Sequence, residues 1–158
     1  MNQHLFSTYS VKIIDRKRII IQYESVISEE LLQHIRKVKA YLVDYYHQQD
    51  KKVEVFHAYA EMAVQFLNAP SSIKQEAATL IEILKSGVLA NKVSDEIEKN
   101  HFKIPVCYED PFARDIAEIA KMNQLLEEKV IKLHYQPVYR VYFIGFLPGF
   151  PYLGGLNE

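Results

Sequence analysis

Cysteine is nearly absent from this sequence, and so is any clustering of metal-binding side chains. The 158 residues include one cysteine, Cys107, so no intramolecular disulfide can form and thiolates alone cannot build a metal site. Apart from His134, the histidines are scattered without metal-ligand spacing: His4, His34, His47, His57 and His101. We therefore expect no metal ion and no recognisable cofactor on this chain.

Long apolar runs and a strong charge of either sign are also lacking. The longest uncharged stretch, 141–157, contains two prolines and four glycines, which exclude a membrane helix. The N-terminus has neither the basic nor the apolar region of a signal peptide, so we expect a cytoplasmic location. A net charge of -1 does not provide the basic face that nucleic-acid binding requires.

The first hundred residues alternate between strand and helix patterns. Ser28 is a predicted N-cap, and Leu31, Ile35, Val38, Leu42 and Tyr45 recur at helical spacing as one buried face. In the next predicted helix, the apolar face consists of Ile73, Ala77, Leu80, Ile81 and Leu84. The predicted elements are, in order, strands at 9–14 and 18–23, a helix from 28 to 47, strands at 53–56 and 62–66, and a helix from 73 to Gly87.

A further strand at 102–107 would complete a β-α-β-β-α-β order. That order is typical of a ferredoxin-like sheet with two crossovers. We therefore predict an α+β protein with an N-terminal ferredoxin-like domain over residues 1–100; the alternative is that this last strand belongs to the following domain.

The second predicted domain covers residues 101–158. Asp110 and Pro111 resemble a helix start, with Asp as N-cap and Pro in the first turn. Apolar residues at helical spacing would then form an inner face: Phe112, Ile116, Ile119 and Ala120. A second helix pattern covers 125–134, and a strand pattern covers 138–144.

Glycines and aromatics are concentrated after this strand. Four of the five glycines lie between Gly145 and Gly155, and seven of the 19 aromatics lie between Tyr135 and Tyr152. The segment 147–150, Leu-Pro-Gly-Phe, predicts a type II turn. Such glycines leave backbone N–H groups uncovered, which suits a nest for a carboxylate or other oxyanion, with aromatic walls. The alternative interpretation is a hydrophobic turn that only closes a β-barrel.

Three stretches of the second part resemble a known family. They are Ile-Pro-Val-Cys-Tyr at 104–108, Leu133-His134, and the long run from Tyr139 to Leu156 that includes Gly-Phe-Leu-Pro-Gly-Phe-Pro-Tyr-Leu-Gly-Gly. The chain is similar to the family of KipI and allophanate hydrolase subunit 1, a family that includes the B component of the bacterial 5-oxoprolinase and one half of the carboxyltransferase domain of urea carboxylase.

The resemblance implies a fold and a reaction. It implies a C-terminal cyclophilin-like β-barrel, of which 101–158 would be only the opening, so we expect a truncated chain that is not active alone. It implies a hydrolase subunit in an ATP-dependent complex that opens 5-oxoproline to glutamate, or in an allophanate-hydrolase-like complex. No Gly-rich phosphate loop is recognisable, so ATP would be used by the complex.

The resemblance also implies partners: a homologous second barrel subunit of the allophanate hydrolase subunit 2 (PxpC-like) type, and a PxpA-like subunit. The active site would form where the two barrels meet. The alternative function, from the same family, is a KipI-like inhibitor that binds a sensor histidine kinase through exposed aromatic residues.

Each polar candidate has a structural alternative. His134 is the candidate catalytic group, or a histidine favoured at a helix C-terminus. Arg140 could pair a carboxylate or form a structural salt bridge, and it shares strand parity with Tyr142. Tyr152 could present its hydroxyl to a ligand or pack. The predicted substrate-binding set is Arg140, Tyr142, Gly145, Phe146, Pro148, Gly149, Phe150, Tyr152, Gly154 and Gly155.

Overall fold

A computed structural model describes residues 6, 8–24, 27–86 and 100–154. The chain divides into two compact units, Met1–Glu96 and Ile97–Glu158. Both units combine helices with antiparallel strands, so the protein is α+β. Among the described helices, none combines the length and apolar character that a membrane crossing requires.

Unit 1 is a four-stranded antiparallel sheet packed against helices. Its elements are β1 (Tyr9–Ile13), β2 (Arg18–Tyr23), α1 (Glu29–His47), β3 (Val53–His57), β4 (Glu61–Phe66) and α2 (Ile73–Lys85). The strand order is β1-β2-β4-β3. The predicted strands and helices of this part are confirmed, whereas Gly87, the predicted helix stop, lies outside the described residues.

Strict alternation builds the core of unit 1. In β2 and β4 every second residue is buried, because side chains of a strand point alternately to its two faces. Ile19 lies opposite Val64 and Ile21 opposite Met62, and all four are fully buried. These cross-strand pairs form the centre of the core, on which the apolar stripe of α1 packs.

Both helices of unit 1 begin at a serine cap. The Ser28 hydroxyl accepts a hydrogen bond from the Leu31 N–H, and the Ser72 hydroxyl accepts one from the Gln75 N–H. Two predicted core positions, Tyr45 and Ile81, are only half-buried, and a residue one or two positions further along is buried. Tyr46, and not Tyr45, is fully buried, because its ring packs edge-on against Phe66 with centroids 5.1 Å apart. In α2, Ile83 is buried and Ile81 is only half-buried.

The strand predicted at 102–107 was wrong. These residues are described, belong to no strand and are exposed; Ile104 has 73% of its surface accessible. β1 already occupies the sheet edge beside β2, so a further strand is not needed to pair that edge. Local alternation of apolar residues shows that a segment suits a strand, but not that it finds a partner.

Unit 2 contains two short helices followed by a β-hairpin. They are α3 (Ile116–Met122), α4 (Glu127–Tyr135), β5 (Arg140–Ile144) and β6 (Pro151–Gly154). The helix start predicted at Asp110-Pro111 was wrong, since that pair lies in a turn and α3 begins after Asp115. Asp-Pro suits turns as well as helix starts.

The predicted inner face of the first helix of unit 2 was also wrong in part. Ala120 is buried, but Phe112 and Ile119 are exposed, and α4 buries none of its residues. Helical spacing shows which side of a helix is apolar; whether another element covers that side depends on tertiary packing.

One histidine of unit 1 is held neutral by its surroundings. His34 lies in α1 between the rings of Phe6, 5.0 Å away, and Tyr23, 5.3 Å away. Burial, assisted by the nearby charge of Lys37, lowers the pKa of His34 to about 4. The folded state therefore binds a proton at His34 less readily than the unfolded chain does.

We expect the stability of unit 1 to fall as the pH drops below the ordinary range of histidine. The depressed pKa means that the contribution is fully present above about pH 6.5 and is lost as the pH falls towards 4. Between pH 7 and pH 4, the wild type should lose about 1–3 kcal/mol more unfolding free energy than His34→Gln. Urea unfolding followed by circular dichroism measures this, with His47→Gln on the exposed end of α1 as control. Equal losses in wild type and His34→Gln would contradict it.

Candidate functional site

The glycine-rich segment is the tip of the β5–β6 hairpin. The Phe150 N–H donates to the Leu147 carbonyl oxygen at 3.0 Å, and Gly149 has a φ of 81°. This is the geometry that the Leu-Pro-Gly-Phe sequence predicts, with Pro148 in the second position and a left-handed glycine in the third. The type II turn is therefore confirmed.

A second, tighter reversal precedes this turn. The Leu147 N–H donates to the Gly145 carbonyl oxygen at 2.8 Å, and the intervening Phe146 has a φ of 63°. This is a γ-turn centred on a bulky residue in the left-handed region, an arrangement that costs on the order of 1–3 kcal/mol. The Phe146 side chain nevertheless leaves 83% of its surface accessible. The strained turn therefore presents the Phe146 ring at the surface.

The turn's own hydrogen bonds limit the predicted oxyanion nest. The N–H groups of Gly145, Leu147 and Phe150 all donate to carbonyl oxygens within the loop. Pro148 has no N–H group. Between Gly145 and Phe150, the backbone donors left for a ligand are therefore those of Phe146 and Gly149.

Four aromatic rings form a connected row along the hairpin. Phe143 and Tyr152 are cross-strand partners whose rings stack at 4.2 Å with an interplanar angle of 12°. Phe150 meets Tyr152 edge-on at 5.3 Å, and Phe146 meets Phe150 edge-on at 6.0 Å. The row provides one apolar wall from strand to tip.

A bulge in β5 lies at Tyr142. The register shifts between Val141 and Phe143, so Tyr142 is the extra residue. The Tyr142 ring lies directly over Gly154: a Cβ at position 154 would come within 2.5 Å of Tyr142 Cε2. Gly154 is the cross-strand partner of Arg140, and directly opposed residues project to the same face, so Arg140 and Tyr142 share one face of the hairpin as predicted.

His134 is held from two directions by tyrosines. The Tyr108 hydroxyl lies 2.5 Å from His134 Nδ1, with the two rings edge-to-face at 5.7 Å. The Tyr139 hydroxyl donates to the His134 backbone carbonyl oxygen at 2.5 Å. His134 stands in the last turn of α4, and Tyr139 immediately precedes β5, so these bonds connect the helix end to the start of the hairpin.

Burial raises the pKa of Tyr108, and Tyr139 and Tyr135 raise it further. Tyr108 therefore remains a neutral phenol at physiological pH. Neither Tyr108 nor Tyr139 was among the residues predicted for the site. Both stand within the stretches that resemble the known family, and that was the signal that could have identified them.

The structure thus places the predicted residues in two groups. The hairpin positions the backbone and rings of most of them: Arg140, Tyr142, Gly145, Phe146, Pro148, Gly149, Phe150, Tyr152 and Gly154. His134 belongs to the tyrosine cluster with Tyr108 and Tyr139. Gly155 lies outside the described residues. In the part of the chain that the structure describes, no group of three His, Cys, Asp or Glu side chains could hold a metal ion.

Comparison with known proteins shows the family. The sequence model of one protein family, the carboxyltransferase domain, subdomain C and D, matches residues 9–158. The chain belongs to this family. The B component of 5-oxoprolinase from Bacillus subtilis is 30% identical over 156 residues, which cover 95% of this chain and 64% of that protein. The B component of 5-oxoprolinase from Haemophilus influenzae is 48% identical over 67 residues, covering 42% of this chain and 31% of that protein.

The chain spans less than two thirds of the length of these curated relatives. Among solved structures, a conserved uncharacterized protein of Pyrococcus horikoshii is 32% identical, with 94% of this chain and 65% of that one covered, at a TM-score of 0.44.

We expect Gly154→Ala to disturb the hairpin and Gly145→Ala to be tolerated. A Cβ at 154 would collide with the Tyr142 ring, whereas a Cβ at 145 meets the rings of Tyr152 and Phe143 only at ordinary contact distances of 3.6 Å and more. Overpacking of this kind costs about 1–3 kcal/mol. NMR shifts of the Tyr142 ring and thermal unfolding would show a displaced ring and lower stability for Gly154→Ala alone. An unmoved Tyr142 ring in Gly154→Ala would refute the expectation.

Proposed function

We propose that this chain is a subunit of a 5-oxoprolinase-like complex that opens 5-oxoproline to glutamate with hydrolysis of ATP. The observation that carries the proposal is the 30% identity to a 5-oxoprolinase B component across 95% of this chain. The alternative within the same family is a subunit of an allophanate-hydrolase-like complex. In both, the β5–β6 hairpin contributes a glycine and aromatic loop to a shared active site.

The chemistry of the hairpin suits a small cyclic amide with a carboxylate. Opening a lactam adds water across the C–N bond, so the leaving nitrogen gains a proton and negative charge develops on the carbonyl oxygen. Arg140 suits the substrate carboxylate, and the N–H groups of Phe146 and Gly149 suit an oxygen anion. The row of rings from Phe143 to Phe146 excludes water from the apolar ring carbons.

The remaining groups of the site would come from partners. The proposed partners are a second barrel subunit, resembling allophanate hydrolase subunit 2, and a PxpA-like subunit, all in the cytoplasm. At the level of fold, we propose that residues 1–100 are a ferredoxin-like domain in which β1 takes the edge position, and that 101–158 open a cyclophilin-like barrel. The sheet order β1-β2-β4-β3 supports the first of these.

A second candidate function rests on the exposed apolar tip. Ile144, Phe146 and Leu147 each leave more than half of their surface accessible. Such a patch suits docking to another protein. A KipI-like inhibitor would place it on the helical bundle of a sensor histidine kinase.

Reconstitution with the partner subunits tests the first candidate. Wild-type chain should support ATP-dependent release of glutamate from 5-oxoproline, and His134→Gln or Arg140→Gln should lower kcat/KM by about tenfold or more, the loss typical of one polar group at the reacting centre. Lys132→Gln, two residues before His134 on the exposed side of α4, is the matched control and should keep full activity.

Two outcomes would count against this function. Assembly with the partners but no ATP-dependent opening of either 5-oxoproline or allophanate would refute the enzymatic role. Binding to a sensor kinase bundle by the chain alone, abolished when Phe146 and Leu147 are replaced by serine, would favour the inhibitor.

Two substitutions at Phe146 separate the effect of its aromatic ring from the effect of its backbone strain. Phe146→Gly removes the ring and relieves the left-handed strain, so the chain should become more stable by about 1 kcal/mol. Phe146→Ala removes the ring and keeps the strain, so its stability should not rise. Both should lower the activity of the reconstituted complex to a similar degree. Full activity in both variants would show that the ring has no part in the site, and equal stability of the two would remove the strain argument.

A further inference from the structure

The contact between Tyr108 and His134 affects the protonation of the His134 ring as well as its position. His134 is exposed at the end of α4, where an imidazole ring has freedom to rotate. Tyr108 approaches Nδ1 at 2.5 Å, while Tyr139 holds the carbonyl oxygen of the same residue. The ring and the backbone of His134 are thus held by two different tyrosines. Because Tyr108 contacts Nδ1, Nε2 is the ring nitrogen that is directed away from Tyr108.

Only one proton lies between the phenol oxygen and Nδ1 when both groups are neutral. Either the phenol donates to a bare Nδ1, or a protonated Nδ1 donates to the phenol oxygen. A phenol O–H is the stronger acid of the two possible donors, and an imidazole nitrogen is the stronger base of the two possible acceptors. The favourable arrangement is therefore O–H of Tyr108 donating to Nδ1 of His134.

We propose that Tyr108 is a positioning residue that holds His134 as the tautomer protonated at Nε2. His134 then presents an N–H donor, and not a lone pair, to whatever binds beside it. This inference rests on the proposed function, because it specifies what His134 does there: it donates to the carbonyl oxygen of the lactam as charge develops, and proton removal from water falls to another group.

The raised pKa of Tyr108 agrees with this arrangement. A phenol is protonated across the physiological range at its ordinary pKa, and burial, followed by the nearby Tyr139 and Tyr135, raises the pKa of Tyr108 further, so the donor is present. Tyr139 has a different role, since its hydroxyl is committed to a backbone oxygen and does not touch the ring nitrogens. Tyr108 is therefore the residue to replace as the test, and Tyr139 is the control.

Nitrogen NMR of the full chain measures the tautomer directly. With ¹⁵N-labelled histidine at high pH, long-range correlations distinguish a protonated nitrogen from a bare one, and His134→Gln assigns the signals. In the wild type we expect a bare, hydrogen-bonded Nδ1 and a protonated Nε2. In Tyr108→Phe, the share of the other tautomer should rise by about 2- to 10-fold, the factor that corresponds to one net hydrogen bond. Tyr139→Phe should keep the wild-type tautomer.

Wild-type His134 protonated at Nδ1 would overturn the proposal without any variant, so a folding defect in Tyr108→Phe cannot conceal its failure. An unchanged tautomer ratio in a folded Tyr108→Phe would overturn it as well. Activity in the reconstituted complex is a separate measurement. If that activity were absent while the tautomer matched expectation, the proposed reaction would fail and the role of Tyr108 would stand.

Discussion

The β5–β6 hairpin depends on one backbone angle. With a φ of 81°, Gly149 reverses the chain at a point where no other residue would do so without strain. That reversal sets the pairing of β6 with β5, and the pairing stacks Phe143 on Tyr152. Phe150 and Phe146 then extend the same row of rings to the tip. The candidate binding surface is therefore a consequence of local turn geometry.

The two units show how far local pattern predicts structure. In unit 1, the sequence predicts the strands β2 and β4 and the Ser28 cap of α1, and the structure has all of them. In unit 2 the same reasoning predicted a strand at 102–107 and a buried Phe112, and both are exposed. Periodicity reports which side of an element is apolar, and burial requires a second surface to cover it.

The candidate site also has one part that the sequence predicts and another that it does not. The turn at Pro148 and Gly149 was predictable because its determinants are adjacent in sequence. Tyr108 and His134 are 26 residues apart, so no spacing rule connects them. The bulge at Tyr142 and the left-handed Phe146 were likewise unpredictable, because both depart from the regular geometry on which pattern reasoning rests.

Three polar groups of the candidate site can act as hydrogen-bond donors. Arg140 carries only N–H groups, the loop offers the N–H groups of Phe146 and Gly149, and in the arrangement that we propose His134 donates through Nε2. The Tyr139 hydroxyl donates to the His134 carbonyl oxygen, and Tyr139 directly precedes Arg140, so the end of α4 is connected to the start of the hairpin. A set of donors of this kind suits oxygen anions and carbonyl oxygens. The proposed ring opening also needs a group that takes a proton from water, and in the proposed arrangement that group comes from a partner subunit.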